Sequence, residues 1–302
     1  MAENRQSIGG QAVIEGVMMR SPSAYATAVR TPQGRIVIQK IPFRSLIRRF
    51  RFLNIPIFRG AITLIETMFI GVQSLTYSAS QAVDEDPRQK KKGQFATNVA
   101  LIGSVFMALA LGFVIFFWVP LVLTEFFKLQ SGITFNLVDG AFRLGFFLIY
   151  IWAISRWGEM RRIFQYHGAE HMTIYAYEAG GDLTTEHARV QPRLHPRCGT
   201  SFLIVVMMVS IVVFVFLGRP ETIGDRLLRF AMIPVIAGIS FEFIKLSARP
   251  RFARIFQPFV WPGLALQKIT TQPPSDDMLE VAIAALEASL DRQAVKLQVP
   301  AS

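Results

Sequence analysis

From Phe95 to Thr124 the chain carries no charged residue, and Val99 to Val119 reads as continuous apolar sequence ending in Trp118 and Pro120. At roughly 1.5 Å per residue against roughly 30 Å of hydrocarbon, a helix over this stretch crosses a bilayer. Ser201 to Leu217 is a second uncharged run, bounded by Arg197 and Arg219. Two further candidates are Val138 to Ser155, with Arg143 one turn in and Trp152 and Trp157 near its other end, and Leu228 to Leu246, which contains Pro234 and Glu242. Arg143 can snorkel to an interface, whereas Glu242 needs a partner inside the bundle or a proton. With 52% hydrophobic and 18% charged residues among 302 and a mean hydropathy of +0.38, the apolar excess belongs in lipid.

The predicted fold class is mainly α: a polytopic membrane helix bundle of about four spans with a small N-terminal β element and a C-terminal amphipathic helix. Its segments are a β-rich stretch at 1–42, interfacial or re-entrant helices and a basic loop at 43–97, and spans at 98–124, 138–155, 201–217 and 228–246. A loop at 156–200 joins the second and third spans, and 247–302 forms a C-terminal segment.

Retained Lys and Arg mark the cytoplasmic side of a membrane protein. With four spans, 27 of the 32 basic residues fall on one side, that of residues 1–98, 156–200 and 245–302. The net charge of +11 is therefore a topology signal. It does not point to nucleic acid, for which a basic stretch interleaved with stacking aromatics is missing. The lipid bilayer is the partner that the sequence names, and no feature names a protein partner. The single cysteine, Cys198, excludes an intramolecular disulfide, and Met1 to Gly10 holds no apolar core of a secretory signal.

Residues 57–83 are apolar enough to insert but carry Arg59 and Glu66, so they span, re-enter or lie flat. In any of these cases Arg88 and Lys90 to Lys92 hold the following loop inside. Just upstream, Phe43, Leu46, Ile47 and Phe50 alternate with Arg44, Arg48, Arg49 and Arg51, the pattern of an interfacial helix on anionic lipid. Tyr25 to Arg30 and Arg35 to Lys40 flank Thr31-Pro32-Gln33-Gly34, which predicts a β-hairpin. Beyond Pro273 and Pro274, Asp277 and Glu280 have capping-box spacing, and Leu279, Ile283, Leu286 and Leu290 form an apolar stripe that packs on its own protein.

All four histidines and the cysteine fall between residues 167 and 198, in the loop joining the second and third spans. Tyr166 to Ala179 reads as a helix stopped by Gly180-Gly181. On it, His167 and His171 stand about 40° apart, so both imidazoles can reach one ion. His167-Gly168-Ala169-Glu170-His171 matches H-x-x-E-H, in which the glutamate misses the ion yet reaches a water beside it. His195-Pro196-Arg197-Cys198-Gly199 resembles a zinc-ribbon knuckle with its first Cys replaced by His. The two halves offer His167, His171, His195 and Cys198 as ligands for a divalent metal, zinc by donor chemistry. His187 follows the Thr184-Thr185 turn as a solvated helix start and stays outside the set.

A different reading makes the histidine pair a polar patch, able to pair with Glu178, and Cys198 a buried thiol at a helix start. Metal binding alone leaves catalysis open as well. Four protein ligands close a tetrahedral ion and make it structural, as in a non-catalytic scaffold or a transporter. If Cys198 or His195 stands aside, Glu170 becomes the general base of a metal-dependent hydrolase.

The stretch Ile8-Gly9-Gly10-Gln11-Ala12-Val13-Ile14-Glu15-Gly16-Val17-Met18-Met19-Arg20, the His167 motif, His195 to Ser201 and Ile269-Thr270-Thr271-Gln272-Pro273 together resemble the YqhQ-like family of bacterial membrane proteins. The resemblance covers nearly the whole chain. It implies a multi-pass protein of the bacterial inner membrane, a metal-dependent enzyme without an established reaction, and Glu15 and Arg20 as functional candidates, while the count of basic residues predicts that both termini are cytoplasmic. From the residues alone, Glu15 and Arg20 are only a charge pair on a glycine-flanked strand.

Overall fold

The computed structural model describes residues 6, 8–82, 103, 106–108, 110–196, 198–247 and 249–290. Arg88, Lys90 to Lys92, Arg197 and the start of the first span at 98 lie outside these residues. Strands Gly9–Val13 (β1), Gly16–Arg20 (β2), Ala24–Arg30 (β3) and Ile36–Pro42 (β4) form an antiparallel meander in chain order. Helices follow at Leu46–Arg49 (α1), Phe58–Ala82 (α2), Phe106–Phe126 (α3), Gly132–Ile154 (α4), Gly158–Ala179 (α5) and Thr185–Arg189 (α6). The chain continues through Gly199–Leu217 (α7), Ile223–Ala231 (α8), Ile233–Ser247 (α9), Pro250–Thr270 (α10) and Asp276–Ser289 (α11).

The expected hairpin is β3–β4: Gly34, at φ +80°, closes its turn by donating its amide to the Thr31 carbonyl at 2.8 Å. It is half of a larger sheet buried on both faces. Val17, Met19 and Ala28 point to α5 and α11, while Val13, Met18 and Tyr25 point to Ile70 of α2. That two-sided burial explains why β2 and β3 read as near-continuous apolar runs rather than as alternating strands.

α11 carries the C-terminal apolar stripe and is enclosed almost all round, with Leu279 and Leu286 at 1% and 0% exposure. Its N-cap is Ser275, not Asp277. With Ser275 as N-cap the capping-box position falls on Met278, so Glu280 forms no capping box and instead pairs with Arg30, 2.8 Å away on β3.

Within residues 57–83, Phe58–Ala82 form the long helix α2, whose buried face is small and polar: Gly60, Glu66, Gly71, Ser74 and Ser78, with Ile70. Glu66 accepts from Leu46 N, from the Ser45 hydroxyl and from Arg20 Nη2 at 2.6, 3.0 and 3.2 Å. The opposite face exposes Ile65, Met68, Phe69 and Val72. The interfacial helix expected upstream shrinks to the single turn of α1 and a 3-10 turn at Arg51–Leu53. Phe43 is withheld from it because its amide donates to Ser23 O at 2.9 Å, prolonging the sheet, and its ring packs on Tyr25.

Four helices are long and apolar enough to cross a membrane: α3, α4, α7 and the pair α8–α9, Ile223–Ser247. The pair breaks at Met232, two residues before Pro234, which cannot donate to the preceding turn. Pro120 has the same effect in α3. It leaves the Phe116 carbonyl free within a π-helical turn at Val114–Trp118, and Arg143 Nη1 reaches that carbonyl at 3.4 Å. Rather than snorkelling, Arg143 is held by the buried Asp139, with Nε 2.8 Å from Oδ2. Glu242 finds its partner in Arg59 of α2, beside a close crossing where a Cβ on Gly60 would stand 2.8 Å from the Gly238 Cα.

α10 was not anticipated within the 247–302 segment. Pro258 and Pro262 lie inside it and mask its helical period. It packs along α7, with Gly263 against Ser201, and ends at the loop before α7. The chain is thus a polytopic membrane helix bundle with a small sheet, clamped between α2 on one face and α5 and α11 on the other.

Candidate metal centre

α5 is stopped by Gly180 and Gly181 at φ +88° and +106°, and its middle carries His167, Glu170 and His171. Two chain segments dock onto this part of the helix. The stretch after α10 crosses it at Gly168, where a Cβ would lie 2.2 Å from the Gln272 carbonyl oxygen, and Gln272 N donates to Phe164 O at 2.8 Å. The loop between α6 and α7 is pinned by Tyr175, whose hydroxyl donates to Leu194 O at 3.1 Å. It is also pinned by Gln267, which accepts from His195 N at 2.7 Å and donates to His195 O at 2.8 Å.

These segments bring backbone carbonyls to the imidazoles. His167 Nδ1 pairs with Thr270 O at 2.8 Å, and His171 Nδ1 pairs with Arg193 O. A carbonyl can only accept, so each ring carries its proton on Nδ1 and offers Nε2 as a free lone pair. This outer-shell arrangement fixes metal-binding histidines elsewhere. His167 Nε2 lies 3.1 Å from Cys198 Sγ, and the donor atoms of His167, His171 and Cys198 all fall within 4.8 Å of one another. Tetrahedral donors around zinc, at bond lengths of roughly 2.0–2.3 Å, stand roughly 3.3–3.7 Å apart. The three residues therefore fit a divalent ion. Cys198 is placed by being the N-cap of α7, where its sulfur accepts from Thr200 N at 3.4 Å. Burial lowers the pKa of His171, an effect that the Cys198 contact opposes, and so favours the neutral imidazole that metals bind.

His195 is near this group without being part of it. Its ring centroid is 5.7 Å from that of His171 and 4.6 Å from that of Tyr175, and its Nε2 faces Glu178 Oε2 at 3.8 Å. Glu178 thus faces His195 rather than the helix pair. His187 lies at the start of α6, where its amide donates to the Thr184 hydroxyl oxygen at 3.2 Å.

Glu170 is 5% exposed, and burial pushes its carboxyl up to about 7. Its neighbour is Gly10 of β1, where a Cβ would stand 2.8 Å from both Cγ and Oε1 of Glu170. Gly10 pairs with Met19, whose face of the sheet looks to α5, so a side chain at residue 10 would occupy the carboxylate's place. Glu170, His171, His195 and Cys198 border a cavity of 590 Å³.

Glu15 and Arg20 do not pair with each other. Glu15, at φ +51° in the β1–β2 turn, forms an ion pair with Arg162 of α5 and accepts from the Tyr166 hydroxyl at 3.4 Å. Arg20 reaches Glu66 of α2 and lies 4.6 Å over the Phe43 ring. They tie the sheet to α5 on one face and α2 on the other. Sequence reasoning missed Thr270, Arg193 and Gln267, which act through backbone carbonyls or hold a loop. Their one sequence-level trace was Ile269 to Pro273, which stood out only as part of a resemblance.

A family model described as "Protein of unknown function (DUF1385)" matches residues 55–292. The "Uncharacterized protein YqhQ" of Bacillus subtilis (strain 168) is 33% identical over 301 residues, covering 96% of this chain and 94% of its own length. No solved structure matches. On a family match over most of its length and a relative aligned nearly end to end, the chain belongs to the DUF1385 family of YqhQ-like proteins.

Proposed function

We propose that this protein is a metal-dependent hydrolase of the bacterial inner membrane, with His167, His171 and Cys198 as ligands and Glu170 as general base. The carrying observation is the donor count: three donor atoms within 4.8 Å, with His195 turned towards Glu178. Three protein ligands leave an open position, the arrangement of catalytic rather than closed structural zinc. A bound divalent ion would supply Lewis acidity towards water and a substrate carbonyl or phosphoryl oxygen. Glu170, kept off the ligand set by its helical phase, would take the proton from the attacking water and return it to the leaving group. Thr270 and Arg193 would hold the imidazoles, and Gly10 would leave the carboxylate room. The excess of basic residues in these segments supports a cytoplasmic side for this centre and both termini.

A structural ion is the second reading, favoured by the 5.7 Å between the rings of His171 and His195. Should His195 swing in, four protein donors would close the site. The transporter version of that reading draws little from Arg143 and Glu242, since each is already ion-paired. The deciding experiment is complementation of a deletion strain. Glu170→Gln is expected to keep metal and fold while losing the phenotype; full complementation by Glu170→Gln, together with failure of Cys198→Ala, would establish the structural ion instead.

A further inference from the structure

The 590 Å³ cavity has two unlike walls. One is the polar group just described, with Glu170, His171 and Cys198. The other comes from three helices: Leu64 of α2, flanked by Thr63 and Thr67, Phe202 of α7, and Phe241 and Ile244 of α9. These side chains are only partly buried, so the hollow between them is open to an occupant. α7 and α9 belong to helices apolar enough to span, and α2 turns Ile65 and Phe69, about 100° and 140° round the helix from Leu64, outward. Lys245, exposed at the end of the apolar wall, also borders the cavity. The chamber beside the candidate metal centre is therefore continuous in composition with the lipid-facing surface, and it ends in a cation.

We propose that the substrate of this centre is a membrane amphiphile with an acyl chain and an anionic headgroup. The chain lies against Leu64, Phe202, Phe241 and Ile244, the polar junction stands at Glu170, His171 and Cys198, and the anion is drawn to Lys245. A water-soluble substrate would have no use for a wall of four apolar side chains, which gains only by covering an apolar chain. The proposal rests on the hydrolase reading for the word substrate, but binding of the chain does not require that reading.

The test is photo-crosslinking of the full-length protein in phosphatidylcholine nanodiscs. The probes are a diazirine-tailed phosphatidylglycerol and its phosphatidylcholine counterpart, with labelled positions mapped by mass spectrometry. Labelling is expected at residues 64, 202, 241 and 244, at least fivefold stronger for the anionic probe, and unchanged after metal is removed with EDTA. Leu64→Trp and Phe241→Trp, which fill the hollow from two different helices, are each expected to cut that labelling at least fivefold. Ile65→Trp on the outer face of α2 leaves it intact. Labelling confined to the outer face, or undiminished in both filled variants, overturns the proposal. Equal labelling by the two probes overturns the headgroup assignment, and a preference retained in Lys245→Gln overturns the role of Lys245. Specific labelling without turnover by the zinc-loaded protein would contradict the hydrolase reading alone.

Discussion

Gly10 lies directly against the carboxylate of Glu170, with no room for a methyl group between the strand and the side chain. This gives the glycines of the N-terminal stretch distinct roles. At Gly9 a Cβ meets nothing within 4 Å, whereas at Gly10 it meets Glu170. Gly10→Ala is expected to displace the carboxylate and abolish activity while metal content stays at the wild-type level, at a stability cost of about 1–3 kcal/mol from overpacking. Gly9→Ala is expected to be neutral in both assays. Complementation and elemental analysis of the two variants check the contrast, and equal behaviour of the pair would contradict it.

Gly168 serves a different contact. Its missing side chain lets Gln272 O approach α5, and the same stretch delivers the Thr270 carbonyl to His167 Nδ1. Gly168→Ala pushes that stretch away and frees the His167 ring. By analogy with other outer-shell losses, metal affinity is expected to fall about 10–100-fold. Competition with a chelating dye measures it.

The first and third spans, the hairpin at Thr31 to Gly34 and the helix carrying H-x-x-E-H were legible because each rests on local chemistry: an uncharged run, a turn with Pro and Gly, a period ended by two glycines. The partners of charged residues were not legible. Arg59 and Glu242 meet across 183 positions, and Glu15 finds Arg162 across 147. Asp139, four residues before Arg143, had the spacing of a helical ion pair and was overlooked, whereas the Phe116 carbonyl released by Pro120 had no sequence signature. In the site, ligand types and spacing were readable, but the outer shell was not, because a backbone carbonyl has no sequence signature. The separation of His195 from the other three donors depends on Gln267 and Tyr175, which come from two helices distant in sequence.

That separation carries its own prediction. His195→Ala is expected to keep the metal stoichiometry of the wild type, whereas His167→Ala, His171→Ala and Cys198→Ala each lose it. Loss in all four variants would make His195 a ligand and the site closed.

The buried carboxyl of Glu170 gives a pH signature in the metal-free protein. Burial raises its folded-state value from an ordinary 4.5 to about 7. The folded state therefore favours the protonated form, so the contribution of Glu170 to stability is full below about 4.5 and is lost as pH rises through about 7. The stability of wild type relative to Glu170→Gln should accordingly fall between pH 5 and pH 8, as read by thermal unfolding after EDTA treatment. A difference that stays constant over that range would contradict the burial.

X-ray absorption spectroscopy of the purified protein at the edge of its bound metal tests the three-ligand centre most directly. The expected result is one divalent ion per chain with two imidazole nitrogens, one sulfur and at least one further light donor that is not imidazole. A site with three imidazoles and one sulfur, a shell without sulfur, or protein that takes up no ion when metal is supplied would contradict it.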